Sequence, residues 1–255
     1  MTNIIDLEER FGVSPALWGP HLNRLWYAGD LSLLELPRVS IVGTRNVTPH
    51  GRLRTIKLVS LLVSKGFCIV SGLAAGVDTV AHETTLDAHG KTIAVMGTPI
   101  ETCYPKENQA LKDRITEKGL IISQFAPGQK IHRSNFPRRN SLMAALSAVT
   151  FVVEAEIDSG TKHQVHAALA LGQKVAFLAS LADRDFGWVR EAIRSGHGVI
   201  VQDPTDALDL LSGMHLTKKT PRPSSNPAKG EKASSLTEKD GSVNISQPSL
   251  PVLGE

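Results

Sequence analysis

Seven short runs rich in Val and Ile, at residues 39–43, 67–71, 92–96, 120–123, 150–153, 174–178 and 198–201, alternate with longer segments that carry helical spacing. That alternation constrains the fold more than any other feature. A run this short that is apolar throughout suits a strand buried on both faces, the habit of a parallel sheet. The segments near 49–65, 76–89, 106–118, 139–148, 161–172, 184–195 and 204–212 read as helices, and the first repeats Leu53, Ile56, Val59 and Leu62 as one core-facing stripe. Strand and helix in regular alternation predict an α/β fold, a doubly wound, mostly parallel sheet with helices on both faces.

The ends of the chain read differently. Residues 1–37 cluster Trp18, Leu22, Leu25, Trp26 and Tyr27 before a turn at Gly29-Asp30, and read as a short helical or irregular lead packing on the sheet edge. Residues 217–255 are rich in Lys, Ser and Pro, lack aromatic residues and show no apolar period, so they are expected to be a disordered tail. Residues 38–216 are left as the folded domain. The tail carries six basic and four acidic residues, so only +1 of the chain's formal +3 belongs to residues 1–216. Binding of a polyanion by bulk attraction is thereby excluded, and any useful positive charge has to be local. Cys68 and Cys103 have no metal-ligand spacing, and no stretch is long and apolar enough to span a bilayer, so a soluble cytoplasmic protein without a metal site or membrane contact is expected.

In an open α/β sheet, ligands gather at the carboxyl ends of the strands. After the first run stand Gly43-Thr44-Arg45-Asn46 and then Thr48-Pro49, which open a helix. Glycine allows close approach, helix amides attract anions, and the Arg45 fork suits phosphate. A capped turn with a solvated arginine fits the same residues. After the second run the chain reads Ser71-Gly72-Leu73-Ala74-Ala75-Gly76-Val77-Asp78, with His82 four residues beyond Asp78. That pair is read as structural: an acid at a helix start and a packed histidine. Gly97-Thr98 follows the third run, with Tyr104-Pro105 and Asn108 beyond, where Pro105 reads as a helix start and Tyr104 as a packing residue. The strongest local signal spans 130–139, where Lys130, His132, Arg133, Arg138 and Arg139 surround Phe136, with Asn135 and Asn140 beside them. Cations for phosphates with an aromatic for a base are what a single-stranded nucleic-acid surface uses. Ser159-Gly160-Thr161, after the fifth run, forms either an amide nest or a capping turn.

With those blocks in order, the chain resembles the DNA-processing protein A (DprA/Smf) family over about residues 25–180. The blocks that carry the resemblance are Ile41-Val42-Gly43-Thr44-Arg45, the stretch from Ser71 through Asp78 with Ala81-His82, Gly97-Thr98 with Tyr104-Pro105 and Asn108, Phe136-Pro137-Arg138-Arg139-Asn140, Val153-Glu154-Ala155 and Ser159-Gly160-Thr161. The resemblance implies an extended Rossmann-like domain that binds single-stranded DNA without catalysis, associates as a homodimer, and assists loading of the recombinase RecA during DNA uptake and transformation. It implies that Arg45 grips phosphate, that Arg133 stands where the family commonly has lysine, and that Phe136 stacks a base. Departures are Ser141 where a further arginine is usual, Gln124 for the customary glutamate, and Lys162-His163-Gln164 and Ala179-Ser180 near the fifth helix and sixth strand. The family often adds an amino-terminal helical domain and a carboxy-terminal winged helix, in place of which stand the short lead and the tail.

Other function classes are weaker. A nucleotide hydrolase related to the Rossmann-like phosphoribohydrolases needs a glutamate just after its glycine-threonine loop, where this chain has Lys162-His163-Gln164. A dinucleotide oxidoreductase needs a G-x-G-x-x-G continuation that Gly43 lacks and an acid where the second run ends in Ser71-Gly72, so no cofactor is expected. A nucleotide-ligand sensor and a structural adaptor are the remaining alternatives.

Overall fold

A computed structural model of the chain describes residues 2–6, 24–157, 159–182 and 184–212. The chain divides into Met1–Pro221 and Arg222–Glu255, and every described residue lies in the first unit. Trp18 and Leu22 of the lead and the tail at 217–255 lie outside the described residues.

The strands are β1 (Asn3–Asp6), β2 (Arg24–Gly29), β3 (Arg38–Val42), β4 (Cys68–Ser71), β5 (Thr92–Met96), β6 (Leu120–Ser123), β7 (Val149–Val152), β8 (Lys174–Leu178) and β9 (Gly198–Val201). The helices are α1 (Pro49–Ser64), α2 (Val77–Asp87), α3 (Gln109–Lys118), α4 (Asn135–Leu146), α5 (Thr161–Ala170), α6 (Gly187–Arg194) and α7 (Pro204–Ser212). One sheet runs in the order β1-β2-β6-β5-β4-β3-β7-β8-β9. From β6 to β9 every neighbour is parallel, and all four residues of β4, β6 and β7 and all five of β5 are buried, as the uniformly apolar runs require.

Alternation along β3 divides the core. Val39 and Ile41 join a cluster with Leu58, Leu62 and Val77 from α1 and α2, while Val42 turns to the opposite face with Leu142 and Met143 of α4. Helices α7, α1, α2 and α3 pack side by side on one face, and α4, α5 and α6 on the other. The doubly wound α/β expectation is therefore observed. Chain order reverses between β3 and β7, which makes that junction the switch point.

Three segments differ from the sequence reading. In the described part of the lead, where the sequence reading has a helical or irregular segment packed on the sheet edge, β1 and β2 extend the sheet as antiparallel strands, with Trp26 paired to Ser123 and Gly29 to Leu120, and a 3-10 turn spans Leu31–Glu35. The helix expected at 139–148 begins four residues earlier, at Asn135, with Pro137 in a first turn that tolerates it. Pro105 caps a 3-10 turn over Lys106–Asn108 before α3 rather than opening an α-helix.

Beneath the strand ends, His82 on α2 is fully buried. The Thr92 hydroxyl donates to the Ile69 carbonyl at 2.8 Å, so at the 2.7 Å contact with His82 it accepts from Nδ1–H. Nε2 has no partner, and burial, with the charge of Arg139 adding to it, holds the imidazole neutral with a pKa lowered from 6.5 to about 3. The unfolded chain takes up a proton at this residue below pH 6.5 that the folded chain refuses, so stability falls as pH drops from 6.5 toward 3. Urea unfolding should show a loss on the order of 1 kcal/mol per pH unit between about pH 6.5 and 5. His82→Gln should flatten that slope by one proton; an unchanged slope would contradict the assignment.

Candidate nucleic-acid interface

Four loops at the carboxyl edge converge on the switch point. The β3–α1 loop is held from across it: the Thr44 amide donates to the Glu154 carbonyl at 2.7 Å and the Thr44 hydroxyl to Glu156 at 2.9 Å. Glu154 also accepts from the Thr48 amide and hydroxyl, while Thr48 caps α1 at the Gly51 amide. Arg45, between these anchors, is exposed. The loop that follows β7 thus fixes the backbone that carries the arginine.

The β4–α2 loop is gripped on both sides of Gly72. Asp78, on the first turn of α2, accepts from the amides of Gly72 and Ala74 at 3.1 and 3.4 Å. Arg139, reaching across from α4, donates through Nη1 to the Gly72 carbonyl and, at 2.9 Å, to the Val95 carbonyl. Both side chains are buried. Burial pushes the Asp78 carboxyl up and the Arg139 guanidinium down, and each shift is opposed by the charge of the other residue. A side chain at residue 72 would collide with the Arg139 guanidinium, which is why glycine stands there. Leu73 adopts a left-handed φ of 56°, and Asn108 holds the strained turn by donating to the Leu73 and Ala74 carbonyls.

Two hollows open beside these loops. One, of about 170 Å³, is bounded by the Gly72–Ala75 backbone, Met96, Gly97, Thr98, Tyr104, Pro105 and Phe136. The other, of about 380 Å³, lies over the switch point and takes in Gly43, Thr44, Asn46, Asn140, Glu156, Ser159, Gly160, Thr161 and His163. Arg45, Phe136 and Arg139 belong to both. The Arg45 guanidinium lies over the Phe136 ring, 5.8 Å from its centroid. Among the described residues, no three His, Cys, Asp or Glu side chains gather to hold a metal ion, and no helix is long and apolar enough to cross a membrane.

The sequence-derived candidates divide. Gly43, Thr44, Arg45, Gly72, Gly97, Thr98, Phe136, Asn140, Ser159, Gly160 and Thr161 converge on the hollows. Arg133 and Arg138 line neither hollow; Arg133 is exposed, and Arg138 lies over the ring of buried Phe125 at 5.4 Å. Of three residues expected to face a ligand, Ser71 and Asn135 turn inward, and Arg139 borders both hollows with its guanidinium committed to the backbone. Ser71 donates to the Ile41 carbonyl at 2.7 Å, Asn135 is 2% exposed, and Arg139 is engaged with backbone carbonyls. The early start of α4 is the cause for the last two: residues 135, 139, 142, 143 and 146 form its buried stripe, which leaves Arg138 outside and Arg139 within. Gly76 lines neither hollow; its φ of 76° and the Thr44 carbonyl beside it reserve that space for the protein's own backbone. Tyr104, Glu156 and His163 line the hollows although the sequence did not single them out as site residues. A tyrosine after the third strand was a usable signal for the first; the others became visible only with the loops assembled.

The family model described as DNA recombination-mediator protein A matches residues 20–212. The chain belongs to that family. It is 36% identical to the DNA processing protein DprA of Streptococcus pneumoniae over 186 residues, 70% of this chain and 66% of that one. To the Smf protein of a Synechocystis strain it is 46% identical over 140 residues, 53% of this chain and 35% of that one. The chain spans about a third to two-thirds of the length of the curated relatives it matches. Among solved structures, the S. pneumoniae DprA superposes with a TM-score of 0.71 at 32% identity, covering 81% of this chain and 73% of that one. The Helicobacter pylori DNA processing protein A, whose structure concerns its single-stranded DNA binding mode, gives 0.72 at 27%, covering 84% and 98%. A molybdenum cofactor binding protein from Rippkaea orientalis shares the fold at a TM-score of 0.51 and 19% identity, covering 69% and 96%.

The Gly72 clamp makes a stability prediction. Arg139→Ala leaves Asp78 buried without its compensating charge and should cost about 3–5 kcal/mol in urea unfolding. A loss below ~1 kcal/mol would show that Arg139 is free enough to serve a ligand instead.

Proposed function

We propose that this chain binds single-stranded DNA without catalysing a reaction on it, and that the strand runs along the carboxyl edge of the sheet. The observation that carries the reading is Arg45 over the Phe136 ring, 5.8 Å from its centroid, beside both hollows, with Arg133 and Arg138 on the adjoining segment. Because residues 1–216 carry only +1, these few side chains supply the attraction. The carboxylates at the site support binding over catalysis, since Asp78 is committed to the Gly72 and Ala74 amides and Glu156 accepts from Thr44. The relative whose structure concerns a single-stranded DNA binding mode supports the choice of ligand. Within the recombination-mediator family, the proposed role is to present a strand in the cytoplasm, as a homodimer, to a RecA-type recombinase during DNA uptake.

A second reading, a sensor of a free nucleotide, is favoured by the size of the switch-point hollow and by the hydroxyls of Thr44, Ser159 and Thr161 around it. Anisotropy titrations with a dT oligomer, a duplex and a mononucleotide separate the two. The dT oligomer should bind tightest, with log affinity falling linearly in log salt. The double variant Arg45→Ala/Arg133→Ala should reduce that slope by about 0.7 for each phosphate that is no longer neutralised. Unchanged affinity in the double variant, or tighter binding of the mononucleotide, would overturn the proposal.

A further inference from the structure

We infer that the exposed face of α1, through His50, Leu53, Arg54 and Lys57, carries the strand onward from Arg45, so that a longer strand leaves the carboxyl edge of the sheet and runs down this helix. This inference rests on the single-stranded DNA reading above and extends the same site.

The charge of the fold is unevenly spread. Residues 118–153, which include Arg133 and Arg138, hold five Lys and Arg without one Asp or Glu; residues 36–77 hold six, also without an acid, and the rest of residues 1–216 is net −10. The first of these stretches supplies the cations already placed at the carboxyl edge. The second supplies Arg45 and then continues along α1, where the site described above makes no use of it. Of its six cations, Arg38 is committed inside, donating to the Leu146 and Leu36 carbonyls at 2.7 and 3.0 Å. Arg45, Arg52, Arg54, Lys57 and Lys65 are exposed. A polyanion responds to such a local surplus even where the net charge is small.

The helix is tied to the site. It begins at Pro49, four residues beyond Arg45, and its cap Thr48 is held by Glu154 from the loop after β7. Gly51, Thr55, Leu58, Val59 and Leu62 are its buried face. His50, Leu53, Arg54 and Lys57, spaced by three and four, lie on the opposite side as one exposed stripe roughly 10 Å long. The acids near it leave the middle of the stripe open. Arg52, outside the stripe, pairs with Glu83 of α2 at 3.5 Å, and Lys57 acts on the carboxylate of Asp203 just before α7. His50 and Arg54 have no ion pair among the described residues. Leu53 stands between the cations and is 56% exposed. A chain of phosphates fits this pattern: the charges meet Arg54 and Lys57, while a sugar or base edge covers the leucine that water now wets. Continuity with Arg45 argues for the same strand rather than a separate anionic partner.

The test uses the full chain and two dT oligomers, of about 6 and about 20 nucleotides, read by anisotropy over a range of salt. Arg54→Ala/Lys57→Ala should weaken the long oligomer about 5- to 25-fold at about 0.1 M salt and lower its salt slope by about 1.4, as expected for two phosphates no longer neutralised. The short oligomer, held at the carboxyl edge, should stay within about twofold of wild type, and Arg54→Lys/Lys57→Arg should keep the long-oligomer affinity. Lys91→Ala/Lys118→Ala removes the same charge from exposed positions at the other edge of the sheet and should change neither oligomer by more than about twofold. All four positions are exposed, so the variants should keep the wild-type melting temperature. If the wild-type protein binds neither oligomer, the DNA reading and this inference fail together. If it binds both, and Arg54→Ala/Lys57→Ala keeps the long-oligomer affinity and slope, weakens both lengths equally, or does no more than the Lys91/Lys118 pair, only the path along α1 is overturned. Loss of binding to phosphatidylglycerol vesicles in the α1 variant, with both oligomers unaffected, would overturn it too and assign the stripe to a lipid surface.

Discussion

The backbone of one residue, Gly72, joins the two halves of the site. Asp78 holds it from the helix that follows, Arg139 holds it from the opposite layer, and Asn108 holds the left-handed turn at Leu73 just beyond. Two buried charges of opposite sign are costly to desolvate, and here each is satisfied mainly by backbone dipoles that the sheet already exposes at its carboxyl edge. The arrangement couples α2, α4, β4 and β5 through a single loop. Both hollows are bounded by that loop or by the residues that grip it.

The same geometry sorts the cations. Along 130–139 the chain carries four full positive charges, yet α4 turns one of them, Arg139, into the interior and leaves Arg133 and Arg138 toward the surface. Arg45 comes from a different loop, whose backbone is anchored by Glu154 and Glu156 rather than by its own helix. A protein with so little net charge concentrates attraction by placing a few cations beside a shaped, partly apolar edge. The glycines serve this plan from the inside: Gly43 lies against Val77, Gly72 against Arg139 and Gly97 against Phe136, so their missing side chains make room for the protein's own groups.

Much of this is legible in the sequence for a local reason. Val39, Ile41, Ile69, Val70 and Ile93 lie in short apolar runs whose burial on both faces needs no knowledge of their neighbours, and the boundaries of β5, β6, β8 and β9 follow the runs residue for residue. The strands of the lead escape a sequence reading because β1 and β2 alternate poorly, with burial patterns that mix exposed and half-buried positions. Their identity as strands comes from pairing: β2 pairs with β6, nearly a hundred residues away along the chain, and β1 pairs with β2. The β4–α2 and β7–α5 loops are recognisable as loops, but their partners, Arg139 for one and Thr44 for the other, are not neighbours in sequence.

The sequence by itself determined the layers, the mostly parallel character of the buried sheet and the set of loops gathered at one edge, because those follow from the period of apolar residues and from where glycine and proline interrupt it. Tertiary structure alone decided the orientation of each functional side chain. A one-residue shift along α4 separates a surface arginine from a buried one, since successive positions on a helix point about 100° apart and only packing against the sheet says which direction is inward. It likewise decided that Phe136 lies under Arg45 while Tyr104, read from sequence as a packing residue, stands open at the rim.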